Sequence, residues 1–361
     1  MQIRQQTSRK VLTIFLLALT VVLNPHARAT ATIQTVKIAE GVYQFITSPD
    51  GYVPNGNSVA IINESDVLVF DTFTRPSTAQ AEIDAIRKLT NKPVRYVVNS
   101  HWHPDHWSGN EVFARDYPGL EIIASEETRQ FMLNIANSWP SLYAANLKKD
   151  RENVAQELST GKQADGTPLS AEDLQREKDE LQREEEYVAE ALAVHRTYPT
   201  MTYGDEMTFY HGGREFRLLK MVGDARGETV LYLPKEKILI TGDLVSGPVP
   251  YYTPPLSQHA DSLRKLAAFD TEAIIPGHGP AERDKSYLNL ELKLLDTIVQ
   301  QIRQAVQQGL TRIDDVPTAV NVENLRSQFT HDDKYLDAKF RRYVKGMAEN
   351  AYREARDGKN F

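Results

Sequence analysis

The chain has 361 residues, 41% of them apolar and 25% charged, with a formal net charge of −7 and no cysteine. That length suits one large domain with elaborations, and the lack of cysteine excludes disulfides and cysteine-linked lipid anchors. The negative balance argues against nucleic acid or an anionic membrane as the main partner.

Residues 1–29 have the order of an export signal: a basic start (Arg4, Arg9, Lys10), an apolar run from Val11 to Leu23, and Ala27-Arg28-Ala29 as cleavage site. The apolar run falls short of the ~20 residues needed to span a bilayer, so a cleaved leader is expected and no stable membrane anchor. The mature protein would be periplasmic or secreted. Its charge would be −11, since four basic residues and no acidic one leave a chain of −7.

Short β-rich runs follow at Val42 to Thr47, Ser58 to Ile62, Val67 to Phe70, Val94 to Val98 and Leu120 to Ile123, with one helix expected over Ser77 to Leu89. Directly after the fourth run stands His101-Trp102-His103-Pro104-Asp105-His106, which holds three of the nine histidines. At this composition the pattern arises by chance in roughly one chain of several thousand, which sets an ordinary polar loop aside. In extended backbone His101 and His103 project to one side and can share an ion. Pro104 keeps His103 extended and turns the chain, so Asp105 and His106 swing toward a second ion.

Between about 126 and 198 the pattern becomes helical and charged. Leu147, Val154 and Leu158 form one stripe; Leu174, Leu181, Val188, Leu192 and His195 form another. Gly161 to Pro168 reads as the loop between them, and Ser170 with Asp173 as an N-cap. The stretch is expected to be an inserted hairpin, a lid or interface with a solvated charged face and His195 as a packing residue. Strands return at Met207 to His211, Phe216 to Met221, Thr229 to Leu233, Ile238 to Thr241 and Ala273 to Ile275. After Gly279 the chain is helical, with Leu288, Leu292, Leu295 and Val299 on one face.

The other chemical candidates sit where strands give way to loops: Asp71, Gly223-Asp224, Gly242-Asp243 and Gly277-His278-Gly279. Any one alone reads as a turn residue. Together with the first motif they supply the further imidazole and the bridging carboxylate that a two-metal site needs. Trp102, Trp107 and the loop Gly247 to Pro255 either wall an apolar pocket for a small-molecule substrate or belong to ordinary packing.

HWHPDH, GDA, TGDL and PGHG, in that order, resemble the metallo-β-lactamase superfamily of binuclear metallohydrolases over about residues 35–124 and 205–285. The resemblance implies an α+β fold, a four-layer αβ/βα sandwich with its site along one sheet edge. The domain would span 30–285, with the helical insert at 126–198 and a C-terminal helical extension over 286–361. It implies that His101 and His103 bind a first metal, that Asp105, His106 and His278 bind a second, and that Asp243 bridges them. Asp71 would orient the ligand loop.

One position departs from the pattern. Where the family reads Gly-His-Thr-x-Gly, this chain has Gly223-Asp224-Ala225-Arg226-Gly227, so the third imidazole of the first metal falls on Asp224. An aspartate can ligate zinc through oxygen, and it makes the site harder, toward iron or manganese. In the opposing reading Asp224 pairs with Arg226. The implied activity is that of a dizinc hydrolase whose metal-bound hydroxide attacks an ester, thioester, lactam, phosphoryl or sulfuryl substrate, with Asp105 receiving or orienting the proton. A mononuclear iron oxygenase of the persulfide dioxygenase type, and a non-catalytic binding protein with a degenerate metal site, stand as alternatives.

Overall fold

The computed structural model describes residues 33–47, 56–134, 138–162, 168, 170–253 and 255–357. The leader read at 1–29 and most of the loop read at 161–168 lie outside these residues.

Seven strands form one sheet in chain order: β1 (Ile33–Ala39), β2 (Val42–Thr47), β3 (Ser58–Ile62), β4 (Val67–Phe70), β5 (Val94–Val98), β6 (Glu121–Ser125) and β7 (Met201–Tyr203). Pairing is antiparallel from β1 to β4 and parallel from β4 to β7. A second sheet holds β8 (Glu206–His211), β9 (Arg214–Val222), β10 (Arg226–Leu233), β11 (Ile238–Ile240) and β12 (Ala273–Ile275), in the order β12-β11-β10-β9-β8. There β11 and β12 pair in parallel and the other neighbours antiparallel. The described helices are α1 (Pro76–Leu89), α2 (Pro104–Trp107), α3 (Asn110–Asp116), α4 (Glu126–Asn134), α5 (Trp139–Thr160), α6 (Ala171–Ala193), α7 (Leu256–Ala267), α8 (Ser286–Gln307), α9 (Glu323–Thr330) and α10 (Lys334–Asp357). None of them is long and apolar enough to cross a membrane.

Several strands read as continuous apolar runs because both of their faces are covered. In β4, Leu68 and Phe70 meet Leu231, Leu233, Ile238 and Ile240 between the sheets. Val67 and Val69 face the other way, onto Ile83 and Ile86 of α1 and Val112 and Phe113 of α3. On the far side, Val230, Leu239 and Ile274 pack against α7 and α8 through Leu263, Leu266, Leu295 and Ile298. The result is helix, sheet, sheet, helix. Each such fully buried Leu or Ile contributes roughly 1.5–3 kcal/mol relative to exposure. The C-terminal helices share this outer cluster, through Phe329, Phe340 and Tyr352.

The stretch read as an insert divides in two. In α4, Thr128 and Met132 are buried, and the Thr128 hydroxyl donates to the Gly227 carbonyl at 2.8 Å, so this helix packs on the sheets. Residues 197 and 198 belong with it: Asn110 donates to the Thr197 carbonyl and Tyr198 stacks on Trp107. The projecting hairpin is α5 with α6, closed on itself by Leu147, Tyr187 and Val188. Glu190 ties it to α1 by accepting from Ser77 N–H and O–H at 3.1 and 2.9 Å. The stripes are only partly covered: Leu158 and Leu192 are about half exposed, at 47% and 52%. His195 is not a packing residue. α6 ends at Ala193, so the helical period stops short of it, and its imidazole is 93% exposed beside Glu111. Sequence periodicity also missed β1 and the three-residue β7, both at sheet margins.

Candidate metal centre

The site is built where β4, β5, β11 and β12 end and β9 turns into β10. β4 gives way to Asp71, whose backbone takes the left-handed conformation with φ 62°. Aspartate tolerates this conformation better than most residues, and strain of this kind gathers at functional sites. The turn aims the carboxylate under the histidine run. It accepts Ser100 N–H and Ser100 O–H at 2.7 Å each and lies 2.8 Å from His106 Nδ1. With Nδ1–H so engaged, His106 presents Nε2 to the centre. Ser100 Oγ lies 3.0 Å from His101 Nδ1, which turns His101 Nε2 inward in the same way.

The seven candidate ligands fall into two groups, His101, His103, Asp224 and Asp243 in one and Asp105, His106 and His278 in the other. In the second, Asp105 Oδ2 lies 3.4 Å from His106 Nε2 and 3.3 Å from His278 Nε2. Asp243 Oδ1 lies 3.4 and 3.3 Å from the same two nitrogens. In the first, His103 Nδ1 is 2.9 Å from His101 Nε2 and 3.1 Å from Asp224 Oδ2. Asp243 Oδ2 is 3.8 Å from His101 Nε2, so its carboxylate faces both groups.

These spacings fit a metal. Two ligand atoms about 2.0–2.1 Å from one tetrahedral ion stand about 3.3 Å apart. His106 Nε2 and Asp243 Oδ1 are moreover buried with no hydrogen-bond partner among the described residues, a costly state unless an ion completes them. Gly277 leaves the room required: a Cβ there would lie 2.0 Å from Asp243 Oδ1.

The electrostatics of the ligand residues point the same way. Burial opposes the charged form of His278, but Asp243 and Asp105 overcome it and push the imidazole up to about 10. His106 is raised well above its ordinary value against burial by Asp243, Asp105 and Asp71. Burial also works against the Asp105 and Asp243 carboxylates, yet His106 and His278 hold both well below the usual range. His101 is driven down by burial and by His106 and His103. Protons thus sit on His106 and His278, where a cation would sit, and metal binding would displace them.

Asp224, on the turn between β9 and β10, does not pair with Arg226. One oxygen faces His103 and the other, Oδ1, accepts Thr253 N–H at 2.9 Å. Trp102 packs edge-on to His103 at 4.4 Å, with Phe131 and Trp139 each 5.9 Å from Trp102. Trp107 is buried, and its Nε1–H donates to the Trp102 carbonyl at 2.9 Å, so of the two tryptophans only Trp102 borders the site.

Three contributors escaped the sequence reading. Ser100 and Thr253 carry no pattern of their own. Glu228 does carry one, a charge at the head of the apolar run of β10. It is fully buried 3.7 Å from His101 Nδ1, and burial together with Asp243 and Asp224 pushes its carboxyl well up.

Fold and site together define an αβ/βα sandwich with a two-group metal cradle at one sheet edge. A profile of the metallo-beta-lactamase superfamily matches residues 51–278, and the chain belongs to that superfamily. A linear primary-alkylsulfatase of Pseudomonas sp. (strain ATCC 19151) is 25% identical over 262 residues, 68% of this chain and 46% of that protein. The chain therefore spans about half the length of that curated relative. Among solved structures, a metallo-beta-lactamase from Pontibacter korlensis aligns at TM-score 0.52 and 19% identity, over 73% of this chain and 99% of its own. A stereoselective inverting sec-alkylsulfatase from Pseudomonas sp. aligns at TM-score 0.60 and 15% identity, over 91% and 51%. These two likenesses are likenesses of fold.

Proposed function

We propose that the chain is an exported metal-dependent hydrolase that holds two zinc ions and cleaves a sulfate ester bearing an apolar chain. The observation that carries the hydrolase reading is the meeting of two ligand groups at Asp243. Two ions held there would supply Lewis acidity and would lower the pKa of water toward neutrality. The mixed imidazole and carboxylate set suits zinc, with Asp224 leaving room for harder ions.

The residues divide the remaining work. Asp71 and Ser100 hold the imidazole rings in the orientation that aims their nitrogens inward. Asp105 is the most exposed of the clustered carboxylates, at 14%, and so the one best placed to orient an attacking water. Its depressed pKa suits orientation better than keeping a proton. Trp102, Phe131 and Trp139 form an apolar wall beside His103, on the side from which a hydrocarbon chain would lie. The name of the Pseudomonas relative, a linear primary-alkylsulfatase, supports the sulfuryl centre among the possible electrophiles.

The test is a substrate panel on the zinc-loaded protein: primary alkyl sulfates of rising chain length, a phosphate monoester, a thioester and a chromogenic cephalosporin. Alkyl sulfates should be the preferred class, with kcat/KM rising up to about fourfold per methylene while the chain still reaches the wall. Preferential cephalosporin turnover would overturn the substrate assignment. One iron per chain with oxygen uptake would overturn the hydrolase reading.

A further inference from the structure

Helix α8 lies behind the site, yet it grips the loop that follows Asp243. Glu291 is fully buried on the apolar face of α8. Its Oε1 accepts Ser246 N–H at 3.0 Å and Tyr252 O–H at 2.7 Å. Tyr287, also on α8, donates its hydroxyl to the Ser246 carbonyl at 3.1 Å. Ser246 is thus held on both backbone sides from one helix. Tyr252 is fully buried, and its ring packs on His259 at 3.9 Å. The next residue, Thr253, offers its N–H to Asp224 Oδ1 at 2.9 Å, which leaves Oδ2 facing His103 at 3.1 Å.

We propose that Glu291 is a positioning residue for the first ligand group. By fixing Ser246 and Tyr252 it sets the height of Thr253, and Thr253 decides which oxygen of Asp224 faces His103. A glutamate on the buried stripe of an amphipathic helix, joined to two residues of a site loop, has a positional task rather than a solubility one. The inference rests on the reading of Asp224 as a metal ligand. The second group meets the same loop through backbone: Gly247 N–H, beside Ser246, donates to the His278 carbonyl at 3.0 Å, while Gly277 N–H donates to the Gly242 carbonyl at 2.6 Å. Its dependence on Glu291 is therefore the weaker of the two.

The experiment is a zinc titration of metal-depleted full-length protein against a competing chromophoric chelator. It resolves two dissociation constants, assigned to their groups with Asp224→Ala and His278→Ala. Glu291→Leu should weaken the first-group ion about tenfold to a hundredfold and leave the second within threefold, the size expected when a ligand's hydrogen-bonding support is lost. Glu291→Gln keeps an acceptor at the same place and should restore both constants. If Glu291→Leu fails to fold, Tyr252→Phe, which removes only the hydroxyl, should weaken the first ion about threefold or more. Wild-type affinity at the first group in the tested variant would overturn the proposal, as would equal losses at both groups. If Asp224→Ala itself retains both ions, it is the ligand reading that fails.

Discussion

The two ligand groups are assembled differently. Asp105 and His106 come from one turn, and His278 joins them from a loop stitched to its neighbour by backbone hydrogen bonds. Asp71 supports this group from directly beneath, 2.8 Å from His106. The first group takes His101 and His103 from the same run, but its distinguishing ligand, Asp224, stands on a separate turn and leans on Thr253. Where local backbone delivers the ligands, one buried carboxylate orients them. Where separate loops must converge, their placement passes to hydrogen bonds from elements outside the site.

The sharpest break in this comparison is at His278. His278→Ala should remove one ion equivalent and lower kcat/KM by about a thousandfold, the several kcal/mol that a metal supplies. Metal content and rate that survive would show that the 277–279 loop is misassigned. Asp71→Asn should act more mildly, weakening the second-group ion about tenfold to a hundredfold while His106 stays in place. A larger loss at the first group would reverse the assignment of support.

How legible this was from sequence follows the same division. The run His101 to His106 declared itself because its ligands are adjacent, and Asp71, Asp243 and His278 were visible as polar residues ending apolar strands. Asp224 was found only as a departure from a familiar pattern. Thr253 and Glu291 were not readable, since nothing local marks a threonine in a proline-rich loop or predicts that α8 reaches Ser246. Most strands were readable from their apolar period, but the sandwich came from the resemblance that the ordered motifs carry. The limits of the projecting hairpin were not readable, because α4 is about as charged as α5 and its docking on Gly227 is a tertiary fact.

A smaller effect sharpens the outer support. Burial pushes His259 down to about 4 from an ordinary 6.5, and it donates Nε2–H to the Leu244 carbonyl at 2.9 Å. The unfolded chain therefore takes up this proton first as pH falls. The stability that neutral His259 provides is complete above about 6.5 and is lost progressively toward pH 4, to an extent of about 3 kcal/mol. His259→Gln retains a donor without the titration. Between pH 7 and 4.5 its unfolding free energy should fall less than that of the wild type; parallel losses would rule out a neutral buried His259.

The central claim is that this chain completes two ion sites, the first of them with an aspartate. Elemental analysis of wild type and Asp224→Ala, purified in parallel with zinc and freed of loose metal, tests it directly. The expected result is two zinc per wild-type chain and one per variant chain, with the remaining ion lost on further replacement of His278 by Ala. Two zinc in Asp224→Ala, or a single ion in the wild type, would contradict it.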